Sequence, residues 1–259
     1  MKRLVKVMAL LGLTLGLCGN AAHAQSALND ILSNGVLKVG TTGDWNPMTL
    51  KDPISNSYKG YDIDVLTQLA SDMGVEIEFV ATDWKTLVNG VVAGKYHMTG
   101  SASLKVGRMK AAGFSEPYFA VATVPLVLKK NADKFKDWAD LNNADVSVAA
   151  TLGTTQEDQV KRFFPDAKHV VVEAPARDFQ EVLAGRADAH ITSNTEASKL
   201  VEKFPQLMIV PVSAPRAPTP VAMLLPQGDQ VWINFVNHWI KLQQTRGFFD
   251  DLGAKYRLQ

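Results

Sequence analysis

The sequence predicts an α/β fold built as two lobes of like construction. Two observations carry that expectation. After residue 25, short apolar segments alternate between the strand period and the helix period along the whole chain, the pattern of α/β layering. One passage also occurs twice. Val91 to Thr99 reads Val-Val-Ala-Gly-Lys-Tyr-His-Met-Thr, and Val182 to Thr192 reads Val-Leu-Ala-Gly-Arg-Ala-Asp-Ala-His-Ile-Thr. Each is a helix end, a glycine cap, a basic residue and a strand finishing on threonine. An offset of about 93 residues between Thr99 and Thr192 suits two lobes rather than a solenoid, whose repeats are shorter.

The first segment is not part of that fold. Met1-Lys2-Arg3 is basic, Leu4 to Leu17 is an almost unbroken apolar run, and Ala22-His23-Ala24 sets small residues before Gln25. These are the three parts of a secretory signal peptide, residues 1–24; the run is short and weakly flanked for a spanning helix, with an uncleaved anchor as the alternative. Cys18 raises a lipoprotein alternative, but Leu17 stands where a lipid-attachment signal wants a small residue. An exported, soluble mature form is expected. Cleavage after Ala24 removes Lys2, Arg3 and Lys6 and leaves 235 residues, with 24 basic against 26 acidic side chains. That balance gives no grip on nucleic acid or anionic membrane. It also removes the only cysteine, which excludes disulfides, thiol nucleophiles, Fe–S clusters and cysteine-type zinc sites.

The mature chain then unfolds into elements in order. Leu28, Ile31 and Leu32 form an amphipathic lead that Gly35 ends, and Val36–Gly40 reads as a strand. Tyr61–Met73 carries Ile63, Leu66, Leu69, Ala70 and Met73 at helical spacing and stops at Gly74. Val75–Val80 alternates as a strand, Trp84–Val92 returns to the helical period, and Met98–Ala102 and Val121–Leu128 are strands. The second half repeats the scheme: strands at 146–150, 170–172 and 189–192, with helices at 138–141, 156–164, 179–183 and 195–204. Pro211–Pro220 holds four prolines and reads as an extended connection. Val221–Leu225 is a strand, and helices over Val231–Gln244 and Phe248–Tyr256 close the chain. In α/β units, ligands gather beyond the carboxyl ends of strands, which nominates the loops 41–47, 100–108, 153–156 and 193–196.

The motifs Gly35–Trp45 (Gly-Val-Leu-Lys-Val-Gly-Thr-Thr-Gly-Asp-Trp), Gly60–Val65 (Gly-Tyr-Asp-Ile-Asp-Val), Thr82-Asp83-Trp84 and Arg108 followed by Phe114-Ser115-Glu116-Pro117-Tyr118 occur in this order. Together they resemble the family 3 extracytoplasmic solute-binding proteins, the polar-amino-acid receptors of bacterial ABC importers. The resemblance implies a periplasmic-binding-protein-like type II fold, two lobes joined by two crossing strands. Lobe 1 would comprise 25–125 and 217–259, and lobe 2 would comprise 126–216. It further implies a periplasmic monomer that closes on one small carboxylate ligand and hands it to an inner-membrane permease. Thr41-Thr42-Gly43-Asp44 with Glu196 also resembles the branch of the family that contains cyclohexadienyl dehydratase, a lyase acting on prephenate and arogenate.

Arg108 stands where the family clamps the ligand carboxylate, and a planar guanidinium can do so through two parallel bonds. Ser101 and Ser103 just upstream could add donors; Lys105 occupies a position where the family often has threonine. Thr154 and Thr155 follow Gly153 at a helix start, where they either face an anionic oxygen or simply cap the helix. Trp45 and Trp84 match the family's aromatic walls, although Trp84 could equally be core. Ser193 departs from the pattern, since amino-acid receptors carry aspartate there to meet the ligand ammonium. The ligand therefore either lacks an α-amino group or has it met by Asp44 or Glu196. Under the lyase alternative, Glu196 is the general acid and Asp44 its companion. Against that alternative, Thr123 replaces the lysine of those dehydratases, which also keep aspartate at position 193. The histidines show no metal-ligand spacing, His97 and His190 read as structural, and no phosphate loop, nucleophile elbow or dinucleotide motif is present, so no cofactor is expected.

Overall fold

In the computed structural model, which describes residues 26–258, the echoed passages fall at equivalent places in two α/β layers. The signal peptide expected over 1–24 lies outside the described residues. Helix α1 (Ala27–Asn34) is capped by Ser26 and ends at Gly35, leading into β1 (Val36–Thr41). A small hairpin sheet follows, made of β2 (Asp44–Trp45), β3 (Thr49–Lys51) and β4 (Tyr58–Lys59). Its strands of two or three residues are too short to show a period, so no spacing marks them in advance. Then come α2 (Tyr61–Met73), β5 (Glu76–Ala81), α3 (Leu87–Val92), β6 (Met98–Ser103), α4 (Val106–Met109) and β7 (Gly113–Phe114). Helix α3 starts three residues later than the helical period predicts. The Asp83 carboxylate accepts from Thr86 N at 2.8 Å and from the Thr86 hydroxyl, and this local turn takes residues 84–86 out of the helix.

Strand β8 (Phe119–Leu128) leaves this layer for the next, which holds β9 (Ser147–Thr151), α5 (Thr155–Phe163), β10 (Lys168–Val172), α6 (Asp178–Leu183), β11 (Ala189–Ser193), α7 (Asn194–Lys203) and β12 (Leu207–Ile209). Strand β13 (Arg216–Leu225) returns, and α8 (Gln230–Thr245) and α9 (Phe248–Tyr256) pack on the first layer. The extended connection expected over 211–220 is in part strand. Its last five residues open β13, with an interrupted register between Arg216 and Thr219 that accommodates Pro218.

The strand order β10-β9-β11-β8-β13-β6-β1-β5 runs unbroken through both lobes. Strands β8 and β13 pair antiparallel at its centre, Phe119 opposite Val221 and Thr123 opposite Arg216. Beyond that shared stretch they part. Val124–Val127 of β8 pairs with β11, and Val221–Leu225 of β13 pairs with β6 and β7. These are the two crossing strands. Hydrophobic clusters sort the same way. One gathers Val39, Leu66, Met98, Val221 and Trp232 around α2 and α8; two others lie on opposite faces of β9 and β11. Val148 and Ala150 point into one of these and Ala149 into the other, as expected of a parallel sheet covered on both sides. No described helix is long and apolar enough to cross a membrane.

Candidate ligand-binding cleft

Strands β1 and β6 in one lobe and β9 and β11 in the other end facing each other, so four loops converge on one cavity. Trp45, Trp84, Ser103 and Arg108 line it from lobe 1; Thr151, Thr154, Thr155, Gln156, Arg177, Asp178, Thr192 and Glu196 line it from lobe 2. Seven of the residues predicted from the sequence are thus brought together. Three others sit just behind. Asp44 accepts from Trp84 Nε1 at 3.0 Å. Ser193 caps α7 through Glu196 N at 3.2 Å and accepts from Trp45 Nε1 at 3.1 Å, a bond between lobes. Ser101 turns to Asp62 of α2, donating its hydroxyl at 2.5 Å and its N–H at 2.9 Å.

Arg108 is buried, at 5% exposure, near the base of the cavity. It donates to two backbone carbonyls, Ser103 O at 3.3 Å and Gly153 O at 3.2 Å, and lies 6.0 Å from the Trp84 ring. Among the described residues no carboxylate comes within ion-pair distance of it. Burial without such a partner pushes its pKa down to about 10, with only the more distant Asp158 opposing. Trp45 and Trp84 meet edge to face, centroids 5.9 Å apart, and form the apolar wall. Thr154 caps α5 by accepting from Glu157 N at 3.2 Å while donating to Thr151 O. The Thr151 and Thr155 hydroxyls are buried and make no hydrogen bond to any described residue.

Arg177 and Asp178 were missed by sequence reasoning. They follow Ala174-Pro175-Ala176, a stretch that reads as a solvent loop. Arg177 reaches Glu196 Oε1 at 3.0 Å and Asp44 Oδ2 at 3.2 Å, and it also donates to the Asp44 carbonyl. It bridges the two lobes. Burial alone would loosen its proton, but Glu196 and Asp44 reverse the effect and raise its pKa. Glu196 is buried and accepts from the Thr192 hydroxyl. Burial pushes its carboxyl above the ordinary value even with Arg177 beside it. Asp178 faces His190 Nδ1 at 3.6 Å; burial would raise it, yet His190 and Arg177 hold it low. His97 is half-buried away from the cleft and accepts from Lys38 N at 3.0 Å. No group of described residues has the composition of a metal site.

Outside the cavity, Lys85–Glu173 and Lys105–Asp158, each at 2.7 Å, join the lobe rims. Such exposed pairs contribute little. The backbone is more decisive. Gly153 has φ +81°, and an added Cβ would stand 2.7 Å from Lys85 N and from the Trp84 carbonyl across the cleft. Gly153→Ala is expected to wedge the lobes apart and weaken ligand binding by about tenfold or more, because only the closed fraction binds. Calorimetry with small-angle scattering checks this: the variant should fail to contract on adding ligand.

Two α/β lobes joined by a pair of crossing strands and shut over a buried guanidinium and an aromatic wall define a bilobal solute-binding protein. The family model for bacterial extracellular solute-binding proteins, family 3, matches residues 37–259, and the chain belongs to that family. Cyclohexadienyl dehydratase of Pseudomonas aeruginosa is 28% identical over 248 residues, which cover 95% of this chain and 91% of that protein. Among solved structures, an ancestral amino-acid-binding protein described as a precursor of cyclohexadienyl dehydratase superposes with a TM-score of 0.82. It is 37% identical and covers 90% of this chain and 99% of its own. An ancestral cyclohexadienyl dehydratase is 40% identical with a TM-score of 0.55, covering 90% and 97%.

Proposed function

We propose that the protein is an exported receptor that captures one small carboxylate-bearing solute, an amino acid or a related organic acid, for an ABC importer. The observation that carries this reading is Arg108: a guanidinium at 5% exposure, facing the interlobe cavity, whose hydrogen bonds among the described residues go to backbone carbonyls. A buried cation of this kind is completed by an anion, and its fork matches a carboxylate. Ser103 adds a polar side chain beside that anion, whereas the Thr154 hydroxyl is engaged in capping α5 and in its bond to Thr151 O; Trp45 and Trp84 cover the ligand body. Closure would bury the ligand between lobes, and the closed form is what a membrane partner would recognise. The amino-acid-binding relative of known structure supports the same reading.

A second reading, a lyase of the cyclohexadienyl dehydratase type, is favoured by Glu196. This carboxyl is buried in the cavity wall with its pKa raised, so it could protonate a leaving hydroxyl while carbon dioxide departs and the ring becomes aromatic. Its pairing with Arg177 opposes that role, because the guanidinium favours the ionised form. Incubation with prephenate separates the two readings. A receptor leaves the ultraviolet spectrum unchanged over hours while binding carboxylates reversibly. A lyase produces phenylpyruvate, and Glu196→Gln then lowers turnover by about a hundredfold or more with binding retained.

A further inference from the structure

The cleft holds a second guanidinium, and its position bears on what kind of carboxylate can enter. We infer that Arg177 fills the place a ligand's cationic group would otherwise take, so that the protein accepts carboxylates lacking an ammonium group and turns away their amino counterparts. The inference rests on the carboxylate reading of Arg108 and narrows it.

Three carboxylates stand at or beside the cavity, and each is already engaged within the protein. Glu196 pairs with Arg177 at 3.0 Å and accepts from Thr192. Asp44 pairs with the same guanidinium at 3.2 Å and accepts from Trp84 Nε1. Asp178 lies against His190 and accepts from Phe179 N at 2.9 Å. Ser193, at the end of β11 beside the cavity, is neutral, and its hydroxyl is shared among Trp45, Thr195 and Glu196 N. An incoming ammonium therefore finds no carboxylate to itself and meets a fixed cation of like sign in a desolvated space. The unused groups on the cavity wall have the opposite preference. Arg177 Nε and the hydroxyls of Thr151 and Thr155 are buried and make no hydrogen bond to any described residue. A guanidinium N–H can only donate, and hydroxyls can donate, so all three suit a second oxygen function. The ligand class is a carboxylate carrying a keto, hydroxyl or second carboxyl group.

Calorimetric titration with acids that share a carbon skeleton tests this, using phenylpyruvate against phenylalanine and 2-oxoglutarate against glutamate. The wild-type protein should prefer the keto form by at least about tenfold in the pair whose body fits. Arg177→Met, which frees Asp44 and Glu196, should lose that preference or reverse it, whereas Arg177→Lys, which keeps the charge, should retain it. Equal or tighter binding of the amino form by the wild type overturns the inference, as does an unchanged ratio in a folded Arg177→Met variant. Should that variant not fold, the wild-type ratio and Arg177→Lys decide. Both results leave the carboxylate reading standing. That reading falls, and this one with it, if Arg108→Ala binds the keto acid as tightly as the wild type or if neither form of any such pair binds.

Discussion

Arg108→Ala is expected to weaken carboxylate binding by about a hundredfold or more, since truncating one partner of a buried charge pair costs roughly 2–5 kcal/mol. The unliganded protein should keep its fold and melt within a few degrees of the wild type. The two effects diverge for one reason. Arg108 is desolvated with no carboxylate among the described residues to compensate it, so the free protein loses two bonds to backbone carbonyls and is relieved of a buried charge. Arg108→Lys should bind at an intermediate level, because an ammonium keeps the charge and lacks the fork. Titration calorimetry and thermal melting decide the matter, and unchanged affinity in Arg108→Ala would remove the carboxylate clamp from the account.

The second large effect concerns stability. Asp62, at 3% exposure, accepts from Ser101 N at 2.9 Å, from the Ser101 hydroxyl at 2.5 Å and from the Tyr118 hydroxyl at 2.8 Å. Asp62→Ala strands these donors in the lobe 1 interior and should cost about 3 kcal/mol at pH 4. At pH 7 the loss should be distinctly smaller. Burial raises the Asp62 pKa to about 6, against its ordinary 3.8, so the folded state holds this proton more tightly than the unfolded chain does. Its contribution is therefore fully present below pH 4, declines as pH rises through 6, and is level above. The decline is on the order of 3 kcal/mol for a shift of this size. Alanine removes it. Denaturant unfolding at pH 4, 5 and 7 checks the sign, and a variant with the wild-type slope would assign that slope to another group.

The bonds around Asp62 also show where sequence reading reached its end. Ser101 and Ser103 are two residues apart on β6, hence on one face, and nothing local distinguishes them. Asp62 of α2 takes the first, while the second lies at the open end of the strand and lines the cavity. Trp45 and Trp84 were legible as aromatic walls through the family resemblance, with core packing left open for Trp84, and both line the cavity, where their rings meet. Arg177 was not legible. Its partners lie 133 residues upstream, at Asp44, and 19 downstream, at Glu196, and no periodicity relates them.

Sequence alone determined the α/β layering, the paired lobes and most element boundaries, since each depends on local spacing: the α2 helix from Tyr61 to Met73 follows its apolar period, and Gly94 and Gly185 end matching helices. It also singled out Arg108 by resemblance. Tertiary structure decided which charges remain available. Whether a carboxylate meets a ligand or a neighbouring guanidinium depends on angstrom-scale distances between chain segments that fold together from far apart, and Arg177, set between Asp44 and Glu196, answers that question for this cleft.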